Sequence, residues 1–343
     1  MSKRYLVLMT TLFLAAIFYT AEFNTNSDDI EIVTNTVAQK QRVPSNNITE
    51  QKAVLPDNLT ASTTDNSKIL RFPKIPYEGD WCIKRIELTE QDYQFAQQEL
   101  IEWENSRGRM LFSSTNFDGE HNQHYNSNFL EPYKEMDKNE LVENALKDDR
   151  YALISAIQRK DIDSKTKKSL ANKLMILGDT STALLYLYSI KTFEASYEYR
   201  QNKLVTSDVK RLVKDALTYI FYGISRYDTD TLSSYLYDLR DDETLKTALH
   251  PKNILTPQDF DDIKKNVQSL SAYIDEQRSQ NNLMPINQLD IPKIANHDFQ
   301  ENLAILYLEH GDNLDSLQAI NSEHGPNIKR TDCVAKYAKL YGN

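Results

Sequence analysis

Glycine and proline are scarce in this chain, 8 and 10 among 343 residues. All-β architectures use both freely in tight turns, so the scarcity argues for helices. There is no concentrated basic patch, and the net charge is −10. Residues 1–22 hold Lys3, Arg4 and Glu22, a net of +1, so the remainder carries −11. A surface of that sign repels nucleic-acid phosphates, and nucleic-acid binding is not expected. Also missing are a G-x-S-x-G elbow, an H-E-x-x-H helix, a phosphate-cradling glycine loop and a dinucleotide fingerprint. Neither a cofactor nor a catalytic residue is indicated. Acidic runs such as Asp241-Asp242-Glu243 and Asp259–Asp262 suit helix starts. Scattered carboxylates leave one enzymatic alternative open, an extracytoplasmic hydrolase of cell-wall or other polymer.

One long apolar run is present. Tyr5–Ala21 carries no charge, and as a helix its length is about 25 Å, enough for a short membrane span. Lys3 and Arg4 precede it, while Glu22, Asp28, Asp29 and Glu31 follow. That order places the N-terminus in the cytoplasm and the rest outside. An uncleaved signal-anchor and a cleaved signal peptide both fit. The first gives a single-pass inner-membrane protein with a periplasmic domain, the second a released periplasmic or secreted one.

Residues 24–68 contain no aromatic residue and no glycine, and are rich in Asn, Thr, Ser, Asp and Gln. Such a stretch buries too little apolar surface to offset its ordering entropy. It reads as a disordered tether with an end-to-end distance of about 35–40 Å. The organisation expected is therefore a hydrophobic leader over 1–23, a linker over 24–68 and an extracytoplasmic all-α domain over 69–343.

Helix signals recur through that domain. Thr89 precedes Glu90 and Asp92, with Tyr93, Ala96, Leu100 and Trp103 on one face. Asp137 and Glu140 resemble a capping box. Ser207 is placed to cap a helix bearing Val209, Leu212, Val213, Ala216, Leu217 and Ile220. Thr256-Pro257 opens a helix through about Gln280. Between Ser106 and Pro132 the pattern fades, and an irregular excursion is expected.

Two stretches can be superposed. Leu170-Ala171…Leu174-Met175…Gly178-Asp179, then Leu184, matches Leu303-Ala304…Tyr307-Leu308…Gly311-Asp312, then Leu317. Each reads as a helix ended by glycine, with aspartate capping a second helix. Leu141–Ala156, with Asp148-Asp149 at its centre, is a degenerate third copy. These segments resemble the Sel1-like and tetratricopeptide repeat families. The resemblance touches two segments of about 20 residues. It implies a solenoid that binds protein partners on a concave face. An irregular helical bundle is the other architecture these helices allow.

Nine tyrosines lie between 186 and 237: Tyr186, Tyr188, Tyr197, Tyr199, Tyr219, Tyr222, Tyr227, Tyr235 and Tyr237. Packing between helices is their first expected role, and a binding surface would lie among them. Cys82 and Cys333 flank the domain, and an even count in an exported chain points to one disulfide. His121 and His124 could share a metal if a helix or turn aligned them, although their Asn- and Ser-rich surroundings argue against it. His310 and His324 each precede a glycine, a setting that suits imidazole at a helix C-terminus. The function expected is a membrane-tethered helical-repeat protein mediating protein–protein interaction without catalysis.

Overall fold

The computed structural model describes residues 90–107, 111–115, 121–125, 130–317 and 328–342. The hydrophobic run, the tether, Cys82 and His324 lie outside them. Among the described residues no helix is long and apolar enough to cross a membrane.

Helix α1 spans Glu90–Ser106. Strands β1, Leu111–Thr115, and β2, His121–Tyr125, pair antiparallel, with Leu111 opposite Tyr125. The chain then folds into α2, Glu131–Lys134, α3, Lys138–Leu146, α4, Arg150–Gln158, and α5, Ser164–Ile176. The long pair α6, Thr182–Asn202, and α7, Ser207–Ser225, follows, then α8, Asp230–Asp241. A π turn over Thr244–Ala248 and the short α9, Pro251–Ile254, lead to α10, Pro257–Gln280. Helix α11, Lys293–Leu317, and α12, Asp332–Tyr341, complete the order. The described residues are thus mainly α-helical. Among the described residues the β1–β2 hairpin is extended chain, within the stretch where the sequence predicted only irregular structure.

From α3 to α8 each helix packs on the next, as short connections dictate. Helix α10 crosses back onto α7 and α5, while α11 contacts α8, α1 and α12. The principal core runs from Leu130 to Ala338 and includes Leu153, Leu174, Leu184, Ile220, Phe299 and Leu303. A smaller cluster seats Ala96, Leu100 and Trp103 of α1 against Ile294 and Ala295 of α11. The apolar face predicted for α7 is buried throughout.

The caps are local and largely as read. Asp137 accepts hydrogen bonds from the Asn139 and Glu140 amides at the start of α3. Thr256 and Asp259 form a reciprocal capping box with Pro257 in the first turn, and that helix runs to Gln280. At α7 the capping residue is Thr206, one position before Ser207, and its hydroxyl accepts from the Val209 amide at 3.2 Å. Asp149 caps α4 after Asp148 turns the chain at φ 69°.

The two superposable motifs differ. At the first, Gly178 has φ +105° and Asp179 accepts a hydrogen bond from the Ala183 amide at 2.9 Å, a helical hairpin between α5 and α6. At the second there is no such turn. Two helical stretches of α11 meet there across a kink at the non-helical His310, φ −139° and ψ 30°, just before Gly311 and Asp312. Beyond the kink, Leu314 and Leu317 remain in the core.

Candidate functional site

The Gly178 turn is a meeting point of arginines. A Cβ on Gly178 would stand 3.1 Å from the Ser106 carbonyl oxygen, with Arg278 Nη1 and Arg150 Nη2 at 3.6 and 4.0 Å. Arg278 donates to the Ile176 carbonyl at 2.8 Å and Arg150 to that of Leu177, so both guanidinium groups stopper the C-terminal end of α5. Arg107, fully buried and paired with Glu104, donates to the Tyr227 carbonyl at 2.6 Å and to that of Arg226 at 3.2 Å beyond the end of α7. Asp179 lies in the same region, fully buried. Desolvation drives its pKa up to about 7, against the opposing hydrogen bond from Ala183 and with help from the charge of Asp228.

Beside this network a cleft of about 950 Å³ opens between the C-terminal end of α7, one side of α10 and the segment that returns from α10. Phe221, Ile263, Val267, Ile286 and Ile291 supply apolar wall, Lys265, Gln268 and Ser271 add polar groups, and Asp261 stands 3.8 Å from Lys264 as an ion pair. The α7 end contributes Tyr222, Ser225 and Arg226. Arg226 is 5% exposed, and its Nε and Nη1 have no hydrogen-bond partner. It does meet the hydroxyl of Tyr222, whose pKa burial raises while Arg226 opposes the shift. Burial and then the like charge of Arg226 hold the Arg278 guanidinium below its ordinary value. Asp275 lines the cleft, but its Oδ1 already accepts from the Ile286 amide at 2.6 Å. A buried cation without a matched anion costs several kcal/mol. A carboxylate entering this cleft would offset that cost, while an apolar body covered the wall.

The tyrosine-rich stretch divides. Tyr188, Tyr222 and Tyr235 are buried, Tyr186, Tyr199, Tyr219, Tyr227 and Tyr237 are partly covered, and Tyr197 is exposed. The Tyr188 hydroxyl donates a hydrogen bond to Asp238 at 2.6 Å, and its ring meets Tyr235 edge-on. Only Tyr222 of this stretch lines the cleft. His121 and His124 lie in β2, opposite Thr115 and Phe112. Among the described residues no group of three or more His, Cys, Asp or Glu could hold a metal ion. Cys333 is fully buried in the first turn of α12, and there is no free cysteine among the described residues. No local signal pointed to Arg226 or Arg278, since an arginine near a helix C-terminus ordinarily reads as a solvated charge. Comparison with protein-family models, with curated proteins and with solved structures finds no match to this chain.

Proposed function

We propose that this chain is an extracytoplasmic helical module that is held at the membrane by its N-terminal segment and binds a protein partner without catalysis. The seat of binding is the α7–α10 cleft, occupied by an apolar segment of the partner that carries a carboxylate. The observation behind this is Arg226, a buried cation lacking a matched anion in a largely apolar cleft. The charge order around residues 5–21 supports the tether, with Lys3 and Arg4 before and Glu22, Asp28 and Asp29 after. A Cys82–Cys333 bridge belongs to the same reading. It would close most of the domain into one loop and contribute about 5 kcal/mol on the chain-entropy model.

The hydrolase alternative would draw on acids of raised pKa. Asp179 and Asp238 are such acids, pushed by burial to about 7 and about 6. Asp179 is taken up in capping α6, Asp238 accepts a hydrogen bond from the Tyr188 hydroxyl, and neither lines the cleft.

A photo-crosslinking residue at Ser225 in intact cells, with the captured protein identified by mass, tests the proposal. One partner should be captured by the parent chain and lost in Arg226→Met, with helix content unchanged. Capture of the same partner at the same yield by the variant would refute the cleft, and no specific capture by the parent would refute the binding function.

A further inference from the structure

A second, smaller cavity of about 350 Å³ lies where α8 ends, the π turn and α9 pass, and α11 kinks at His310. It is separate from the cleft, sharing no lining residue with it. In a chain of net charge −10 this cavity gathers Arg240, Lys246 and Lys252 with two imidazoles. Arg240 is held by Asp241 through contacts of 2.7 and 2.9 Å. Lys246 and Lys252 are exposed, neither is bonded to a carboxylate, and the charge of Lys246 is felt by the nearby Asp241. His250 is spent on structure, since its Nδ1 accepts the Lys252 amide at 3.3 Å and the ring also bonds Asn313.

His310 is different. It is 5% exposed, and its Nε2 has no hydrogen-bond partner. The nearest acid oxygen, Glu309 Oε2, stands 3.7 Å away, beyond hydrogen-bond reach, and already accepts the Tyr237 hydroxyl proton at 2.6 Å. Burial holds the imidazole below its ordinary pKa, so near neutral pH it offers an N–H rather than a full charge.

We propose that this cavity binds a phosphate monoester or inorganic phosphate, with Lys246 and Lys252 neutralising the anion and His310 acting as a buried donor. Glu309 decides which oxyanion fits. Inorganic phosphate near neutral pH always carries at least one proton, and a monoester, whose second pKa lies at about 6, carries one for part of the time; either can donate it to the Glu309 carboxylate. Sulfate has no proton to give, and the same carboxylate repels it. The cavity is too small for a folded partner segment but lies within the size range of small-molecule sites.

Titration calorimetry of the full chain in detergent, at constant ionic strength, with inorganic phosphate, glycerol 3-phosphate and inorganic sulfate, tests this. Phosphate and its monoester should bind saturably, and sulfate about tenfold more weakly or worse. The exposed pair Lys246→Gln with Lys252→Gln should keep the parent's thermal melting and lose about tenfold or more in phosphate affinity. Glu309→Gln should narrow the gap between phosphate and sulfate. No saturable phosphate binding, equal affinity for sulfate in the parent, or unchanged affinity in the lysine variant would each overturn the proposal. Stronger binding of the monoester than of free phosphate would identify an esterified ligand, and the reverse order the free ion. Since the two cavities share no lining residue, the result does not depend on the partner-binding cleft.

Discussion

Asp179 makes the stability of this protein fall as pH rises through the neutral range. Its carboxyl is fully buried and titrates near 7 instead of the ordinary 3.8, chiefly through desolvation. Between those values the folded state holds a proton that the unfolded chain has released. The unfolded state binds fewer protons, and stability therefore declines as pH increases. A displacement of about three units corresponds to about 4 kcal/mol, lost progressively from pH 4 to above pH 7. Against a typical domain stability of about 5–15 kcal/mol that is a large fraction. Asp179→Asn removes the titration and keeps an oxygen for the Ala183 amide, because asparagine caps helices about as well as aspartate. Urea denaturation followed by helix circular dichroism at pH 5, 6, 7 and 8 gives the comparison. The variant's stability relative to the parent should rise by about 2–3 kcal/mol between pH 5 and pH 8. Asp238 shifts in the same direction but is present in both proteins, so the difference isolates position 179. Parallel pH dependences would refute the reasoning. They would mean that Asp179 stays ionised in the fold, compensated by Arg150.

The two Gly-Asp motifs should answer differently to the same substitution in thermal melting. Gly178→Ala should cost about 1–3 kcal/mol, because φ is +105° and the new methyl meets a backbone oxygen at 3.1 Å. Gly311→Ala should be neutral or stabilising by up to about 1 kcal/mol, its nearest neighbour being Tyr307 at 3.9 Å inside a helix. Along α11, Leu303→Ala should cost about 2–5 kcal/mol in urea denaturation because Leu303 is fully buried, whereas Leu308→Ala at 46% exposure should cost far less. Thiol labelling of the unfolded, unreduced chain after export should find no free cysteine, and reduction should lower stability by up to about 5 kcal/mol. Two free thiols in the unreduced sample would end the bridge.

Much of the helix pattern was legible because its signals are short-range. Thr256, Pro257 and Asp259 fix the start of α10 within one turn, and the spacing of Val209, Leu212, Val213 and Ala216 fixes the inner face of α7. A one-residue error at Thr206 and Ser207 is the scale of ambiguity when two good caps adjoin. The β1–β2 hairpin escaped notice. Strands of five residues carry little periodicity, and their pairing depends on a partner across a loop.

The sequence alone determined that the chain is helical, where several helices begin, and that Gly178-Asp179 can turn. These outcomes rest on hydrogen bonds and side-chain spacing within a few residues. Tertiary structure decided which of two similar Gly-Asp motifs became a turn, which tyrosines were buried, and which charges became unusual. Arg278 reaches the carbonyl of Ile176 and Arg107 that of Tyr227, across 102 and 120 positions of sequence. Desolvation of Asp179, Arg226 and His310 arises from such distant segments closing over them, and no local pattern encodes a group's distance from water.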